Sequence, residues 1–235
     1  MKKLINKSFF IMIFISMIGG MLDAFTFIYN QKTFCLIQTG NIIKCFVNLI
    51  DGSIQEGLYC LMLFGVFIIG SFIFHFINVK LLSKLRLKDN LINALLLGLL
   101  LMPLIFLKFD TTSVFNVSNI VNGIFLSLVG ALMLTSFKEE NRILYTPTMM
   151  TNNTRKMVEH IEDGIIHKNK EKLCFGFIYF LIIIAFCVGI CIVSLIDKYV
   201  DEAINDRIIL LILYIFIIIL IILNLNTGKD VKEDE

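Results

Sequence analysis

The chain has 235 residues, of which 57% are apolar and 17% charged, with a formal net charge of +2 at neutral pH. Soluble domains average about 45–50% apolar and roughly 25% charged, so this composition argues against an ordinary soluble fold. Basic residues are scattered between apolar blocks instead of forming a patch, which argues against nucleic acid as a partner.

The first residues, Met-Lys-Lys-Leu-Ile-Asn-Lys, followed by Phe9–Leu22, mimic a secretory signal peptide. The apolar stretch runs on to Tyr29, however, and five further blocks follow, so it reads as a first membrane helix. Those blocks are Leu58–Phe74, Leu91–Leu107, Ile120–Leu134, Leu173–Ile196 and Ile208–Leu223. A hydrocarbon core about 30 Å thick takes roughly 20 apolar helical residues and leaves no backbone polar group unpaired. The expectation is an all-α polytopic membrane protein of six spans, with the lipid bilayer as its partner. Leu91–Leu107 is short and needs its flanks or little tilt.

Six spans with the N-terminus inside place Lys2, Lys3, Lys7, Lys80, Lys84, Arg86, Lys88, Lys138, Arg142, Arg155, Lys156, Lys168, Lys170, Lys172, Lys229 and Lys232 on the cytoplasmic side. These are 16 of the 21 basic residues, and Lys32, Lys44, Lys108, Lys198 and Arg207 remain outside. A seventh span at Phe34–Ile50 would reverse most of that bias. The expected topology therefore has both termini cytoplasmic. Tyr29, Tyr59 and Tyr199 would lie at the outer interface, and Lys229–Glu235 would be a solvated tail.

The two halves match at an offset of 112 residues. Thr39, Asn41, Lys44, Asp51 and Gly52 fall on Thr151, Asn153, Lys156, Asp163 and Gly164. Each half then reads as helix, polar segment, helix, helix: residues 1–110 form one membrane repeat, 111–228 the second, and 229–235 the tail. Three spans is an odd number, so the second half enters the bilayer from the opposite side, as in inverted-repeat transporters. Chance likeness of two loops is the competing explanation.

Asn41 and Asn153 are good N-cap types, and the two Asp-Gly pairs are plausible helix stops. The segments then predict short helices over Ile42–Ile50 and Thr154–Ile161, each about half a bilayer long. The first is apolar enough to dip into the membrane, whereas the second is charged enough to lie along its surface. Helix starts aimed inward offer free N–H groups and partial positive charge, reinforced here by Lys44, Lys156 and Arg155. They would bind an anionic or amide-bearing solute. Ordinary interfacial helices with snorkelling lysines are the alternative.

Asp23, in Gly19-Gly20-Met21-Leu22-Asp23, puts a carboxylate inside the first span, at a cost of about 2.5–3.5 kcal/mol on insertion scales. It maps onto Thr135, so only one half has the acid. A proton-coupling role and an interfacial acid bonded to a nearby loop both fit. His75 reads as interfacial, and Asn78, Asn93, Asn116, Asn119 and Asn122 as polar contacts between helices. The six cysteines form no CxxC pair and read as reduced packing residues, and no metal site or cofactor is expected. No hydrolase, nucleotide-binding or metalloprotease motif occurs, so an enzyme is not expected.

Gly19–Phe27 followed by Gln38-Thr39-Gly40-Asn41 resembles the YoaK-like family of bacterial inner-membrane proteins, which carry a Gly-x-x-Asp-Ala stretch and then a Thr-Gly-Asn motif. The resemblance implies about six spans and a role that is not established. It also implies a second Thr-Gly-Asn-like segment followed by Arg, here Thr151 to Arg155 with Asn152 replacing the glycine. Asn tolerates the left-handed conformation better than other side chains, so the turn can survive.

The functional expectation is a secondary transporter or permease for a small, anionic solute. Thr39, Gly40, Asn41, Lys44, Thr151, Asn153 and Arg155 would be at the ligand and Asp23 at the proton. A non-transporting protein that binds a lipid or partner through the Thr/Asn segments is the alternative, and a homo-oligomer is compatible with either.

Overall fold

The structure is a computed structural model that describes residues 7–81, 89–109, 115–137, 139–140 and 143–230. The inferred positions of Lys2, Lys3, Lys84, Arg86, Lys88, Lys138, Arg142, Lys232 and the last five residues, and the repeat boundary at 110–111, lie outside them.

The elements run α1 (Lys7–Tyr29), α2 (Gln38–Ile50), α3 (Ile54–Phe76), α4 (Asp89–Leu101), α5 (Val117–Ser136), β1 (Glu139–Glu140), β2 (Ile143–Leu144), α6 (Met150–Ile166), α7 (Lys170–Tyr199) and α8 (Asn205–Asp230). The two strands form one small antiparallel hairpin. Polar caps set several boundaries. The Asn116 side chain accepts from Ser118 N–H to open α5, and Asn169 accepts from Glu171 and Lys172 N–H to open α7. Gly52, at φ +84°, lets the chain leave α2 and turn into α3.

Among the described residues, five helices are long and apolar enough to cross a bilayer: Ser8–Tyr29, Ile54–Lys80, Val117–Ser136, Lys170–Tyr199 and Asn205–Leu225. The chain is accordingly a multi-pass membrane protein. The expected sixth span is a shorter apolar helix, Asn90–Ile105, whose last turn tightens to 3-10 geometry at Met102–Ile105 where Pro103 removes a backbone donor. At 1.5 Å per residue it is about 24 Å long.

Packing follows a paired scheme. α1 lies on α7 and α3 on α5; α2 lies on α3 and α6 on α7; α1 meets α8 and α5 meets α4; α4 and α8 touch each other. Glycines permit the closest approaches. A Cβ at Gly189 of α7 would run into the Met17 carbonyl oxygen of α1, and one at Gly70 of α3 would press on Ala131 and Leu128 of α5. Similarly, Gly57 receives Leu49 and the Cys45 carbonyl from α2, and Gly176 receives Ile161 and the Met157 carbonyl from α6. Outward faces of the spans carry exposed apolar side chains such as Ile69, Phe72, Leu211 and Ile215, as lipid contact requires.

Buried polar groups knit the helices where water is absent. Tyr59 is buried among the helices, and its hydroxyl bonds Asn30 Oδ1 at 2.7 Å and the Asn119 carbonyl at 2.9 Å. Asn78 donates to Ser136 Oγ at 2.9 Å and Asn122 to the Lys108 carbonyl at 3.0 Å. Asn116 is instead a cap, and His75 is exposed near the end of α3. All six cysteines are free.

Candidate functional site

After α1 the chain turns at Asn30–Thr33 and doubles back, so that α2 starts beside Phe67, near the middle of α3. After α5 it turns through the β-hairpin and α6 starts beside Phe186, near the middle of α7. The two helix starts face each other across a cavity of about 810 Å³. Its wall comprises Leu36, Ile37, Gln38, Thr39, Gly40 and Ile43 from the first segment, and Thr148, Met149, Met150, Thr151, Asn152 and Arg155 from the second. Phe67, Leu134 and Phe186 close it from the long helices.

Both returning loops are held by one device. Asn41 accepts from Phe34 N–H at 2.9 Å and donates to the Phe34 carbonyl at 2.6 Å, with a further bond to Gln38 Oε1 at 3.0 Å. Asn153 accepts from Thr146 N–H at 3.1 Å and donates to the Thr146 carbonyl at 2.7 Å. Each amide thus satisfies both backbone groups of the residue seven places earlier, and each is fully buried. The lysines act alike. Lys44 Nζ donates to the Gln31 carbonyl and Lys156 Nζ to the Leu144 carbonyl.

Several sequence expectations change here. Asn41 and Asn153 are not N-caps, because α2 and α6 begin three residues earlier, after Ile37 and Met149. A carboxamide that clamps a folded-back loop and one that caps a helix are alike in sequence. Asp51-Gly52 does end α2, whereas α6 runs through Asp163-Gly164 to Ile166. Gly164 instead packs against Leu173, and Asp163 pairs with Lys172 at 2.9 Å. That ion pair holds the Asp163 carboxyl below its ordinary range.

Of the residues singled out from sequence, Thr39, Gly40, Thr151 and Arg155 line the cavity, whereas Asn41, Asn153 and Lys44 are held by the loops behind it. Sequence reasoning missed Leu36, Ile43, Phe67, Thr148 and Phe186. Thr148 is 1% exposed, and its hydroxyl has no hydrogen-bond partner. Arg155 is exposed, and its guanidinium lies 3.6 Å from Glu159 and 3.5 Å from Asn152 Oδ1.

Asp23 is 4% exposed. One carboxylate oxygen accepts from Leu36 N–H at 3.1 Å, and the other has no partner. It borders a second cavity of about 430 Å³, with Ala24, Phe27, Phe34, Ile190 and Ser194, that shares Ile37 and Phe186 with the first. Its counterpart Thr135 bonds back to the Ala131 carbonyl of its own helix at 2.8 Å. No group of three or more His, Cys, Asp or Glu residues with metal-binding geometry occurs among the described residues.

A protein-family model described as "Protein of unknown function (DUF1275)" matches residues 11–223. The chain belongs to this family. The match agrees with the uncharacterised role implied by the YoaK-like resemblance, and carries no activity with it. No curated protein matches the chain, and no solved structure does.

Proposed function

We propose that this DUF1275 member is a secondary transporter or permease for a small anionic solute, not an enzyme, built from two inverted halves of three membrane-crossing helices each. The observation that carries the reading is the cavity in which the first turns of α2 and α6 meet. α2 is too short to cross, and α6 carries too many charges to do so, with Arg155, Lys156, Glu159, Glu162 and Asp163 along it. At 1.5 Å per residue their 13 and 17 residues are about 20 and 26 Å long, and each begins beside the middle of a long span. Half-crossing helices whose positive ends converge on a mid-membrane cavity are the usual setting for solute sites in such transporters.

The internal repeat is supported by contacts beyond the five matching residues. The Asn41–Phe34 and Asn153–Thr146 clamps stand 112 residues apart in both partners. Gly57 and Gly176, Phe67 and Phe186, and Gly70 and Gly189 stand 119 apart, and the first glycine pair meets equivalent neighbours, Leu49 and Cys45 against Ile161 and Met157. Seven extra residues across the end of α6 and the start of α7 account for the difference, and they explain why α6 outruns its Asp-Gly pair. In this arrangement α4 completes the first half as a short sixth span, and both termini face the cytoplasm.

Asp23 is the proton-coupling candidate, supported by its buried, half-satisfied carboxylate beside the solute cavity. Through Leu36 N–H its charge state acts on the strand that leads into α2.

Proteoliposomes carrying the purified protein would be tested for uptake of labelled lactate, benzenesulfonate and phosphate with and without an inward proton gradient. Transport of an anion that is lost in Thr39→Ala, Arg155→Gln supports the reading. Uptake equal to protein-free liposomes for every anion, from correctly folded protein, sinks it. Uptake indifferent to the gradient and unchanged in Asp23→Asn removes the proton role. One observation favours the non-transporting alternative: Thr39, Thr151 and Arg155 are exposed, as for a site that greets a lipid or partner laterally. Binding without flux would select it.

A further inference from the structure

The cavity is symmetric in backbone but not in chemistry. Across the 112-residue offset, Leu36 stands opposite Thr148, Gly40 opposite Asn152, and Ile43 opposite Arg155, while Thr39 is matched by Thr151. The α6 side therefore offers a hydroxyl, an amide and a guanidinium. The α2 side offers Leu36, Ile37 and Ile43, with Gln38 and Thr39 as its polar members. Phe67 and Phe186 flank the space between.

Charge points the same way. No carboxylate is among the lining residues, and Arg155 is their one ionised group. The two helix N-termini add roughly half a unit of positive charge each. Glu159 offsets part of the Arg155 charge from outside the cavity. The remaining excess suits one negative charge. Thr148 supplies the independent sign of an absent partner, since this lining residue has a buried hydroxyl without a hydrogen bond, which is costly.

We infer that the ligand is an amphipathic organic monoanion: a single carboxylate held by Thr148, Thr151, Asn152 and Arg155, with an apolar body laid toward Leu36, Ile37 and Ile43. The inference rests on reading this cavity as a solute site. It goes further in naming which end of the ligand meets which half of the protein. Inorganic anions lack the body that the α2 side would desolvate, and neutral amides lack the charge that the α6 side attracts.

The test is thermal stabilisation of the full chain in phosphatidylcholine nanodiscs at pH 7.5, titrated with acetate, hexanoate, benzoate, phosphate and the neutral isostere benzamide. Hexanoate and benzoate should bind at least tenfold tighter than acetate or phosphate, with no stabilisation by benzamide. Thr148→Val, nearly isosteric and removing only an unpartnered hydroxyl, and Arg155→Gln on an exposed surface should each weaken benzoate about tenfold. Ile43→Ala should weaken hexanoate more than acetate.

Equal affinity for acetate and hexanoate, stabilisation by benzamide as strong as by benzoate, or unchanged benzoate affinity in both polar variants would overturn the inference. Stabilisation by phosphatidylglycerol discs with none by any carboxylate would also overturn it, by assigning the site to a lipid headgroup. The permease reading fails separately. Benzoate binding without uptake of lactate, benzenesulfonate or phosphate removes transport and leaves the ligand class, whereas uptake of another anion without carboxylate binding does the reverse.

Discussion

Asn41→Ala and Asn153→Ala should be folding mutations, and nearly equal ones. Each removes a fully buried amide that pairs both backbone groups of one residue, Phe34 in the first loop and Thr146 in the second. Leaving one buried donor or acceptor unsatisfied costs about 1–3 kcal/mol, and some relaxation by side chains or water is expected, so about 2–4 kcal/mol per variant is reasonable. For a chain of this size 1 kcal/mol moves the melting temperature by about 2–4 °C, which gives a drop of roughly 4–16 °C. The protein has no tryptophan, so the assay should use a thiol-reactive dye. Cys35, Cys45 and Cys60 are buried near the first loop and become reactive on unfolding, while exposed Cys187 and Cys191 set the baseline. A shift below 2 °C in both variants would refute the clamp and return the asparagines to the ligand. It would also mean that loss of activity in either variant could be blamed on the site, which the clamp forbids.

At the crossing of α1 and α7, Gly189→Ala would push a methyl against the Met17 carbonyl and Met21 N, backbone that cannot swing aside, and should cost about 1–3 kcal/mol. Gly65→Ala, with nothing within 4 Å, should instead be neutral or stabilising by up to about 1 kcal/mol in the same melt. Tyr59→Phe strands Asn30 Oδ1 and should cost about 1–3 kcal/mol, read as earlier labelling of Cys60. His160 stacks on Tyr179 at 5.5 Å and lies 5.7 Å from Phe175, and burial first, then Lys172, holds its pKa below the ordinary value. A depressed histidine binds fewer protons folded than unfolded, so its contribution is present above about pH 6.5 and is lost as pH falls through the folded value. The melting temperature should fall more steeply between pH 7 and 5 in the natural protein than in His160→Gln, and equal slopes would count against it.

The long spans were legible because lipid demands unbroken apolar helix, and α1, α3, α5, α7 and α8 announce themselves that way. α4 was harder. Its apolar block is interrupted by Pro103, whose effect on length depends on where the last turn tightens. The cavity was half legible: matching Thr39–Lys44 to Thr151–Lys156 found the cavity-lining Thr39, Gly40, Thr151 and Arg155, yet also assigned to the ligand Asn41, Asn153 and Lys44, which hold the loops. Whether an amide faces a solute or its own chain depends on Asn30–Ile37 folding back, and no local pattern encodes that. Phe67 and Phe186 were hidden for another reason. The seven extra residues across the end of α6 and the start of α7 move their match from an offset of 112 to 119, so a fixed-offset comparison passes over them.

If the cavity is a symmetric frame with an asymmetric lining, its polarity should be exchangeable. Arg155→Ile removes the cation and should weaken benzoate about tenfold, or about 1.4 kcal/mol. Adding Ile43→Arg puts a guanidinium at the matching position of α2, where the first turn has the same Thr and the same helix start. The cavity then has its original charge, with the head site moved to the other half. The double variant should recover benzoate binding to within a few-fold of the natural protein, although each single change is harmful, the signature of coupled positions in a double-mutant cycle. Thr148→Val should matter less in that background, because the carboxylate no longer lies beside it. Additive losses in the double variant would mean that α2 and α6 are not equivalent frames, and the internal repeat would then reduce to a likeness between two loops.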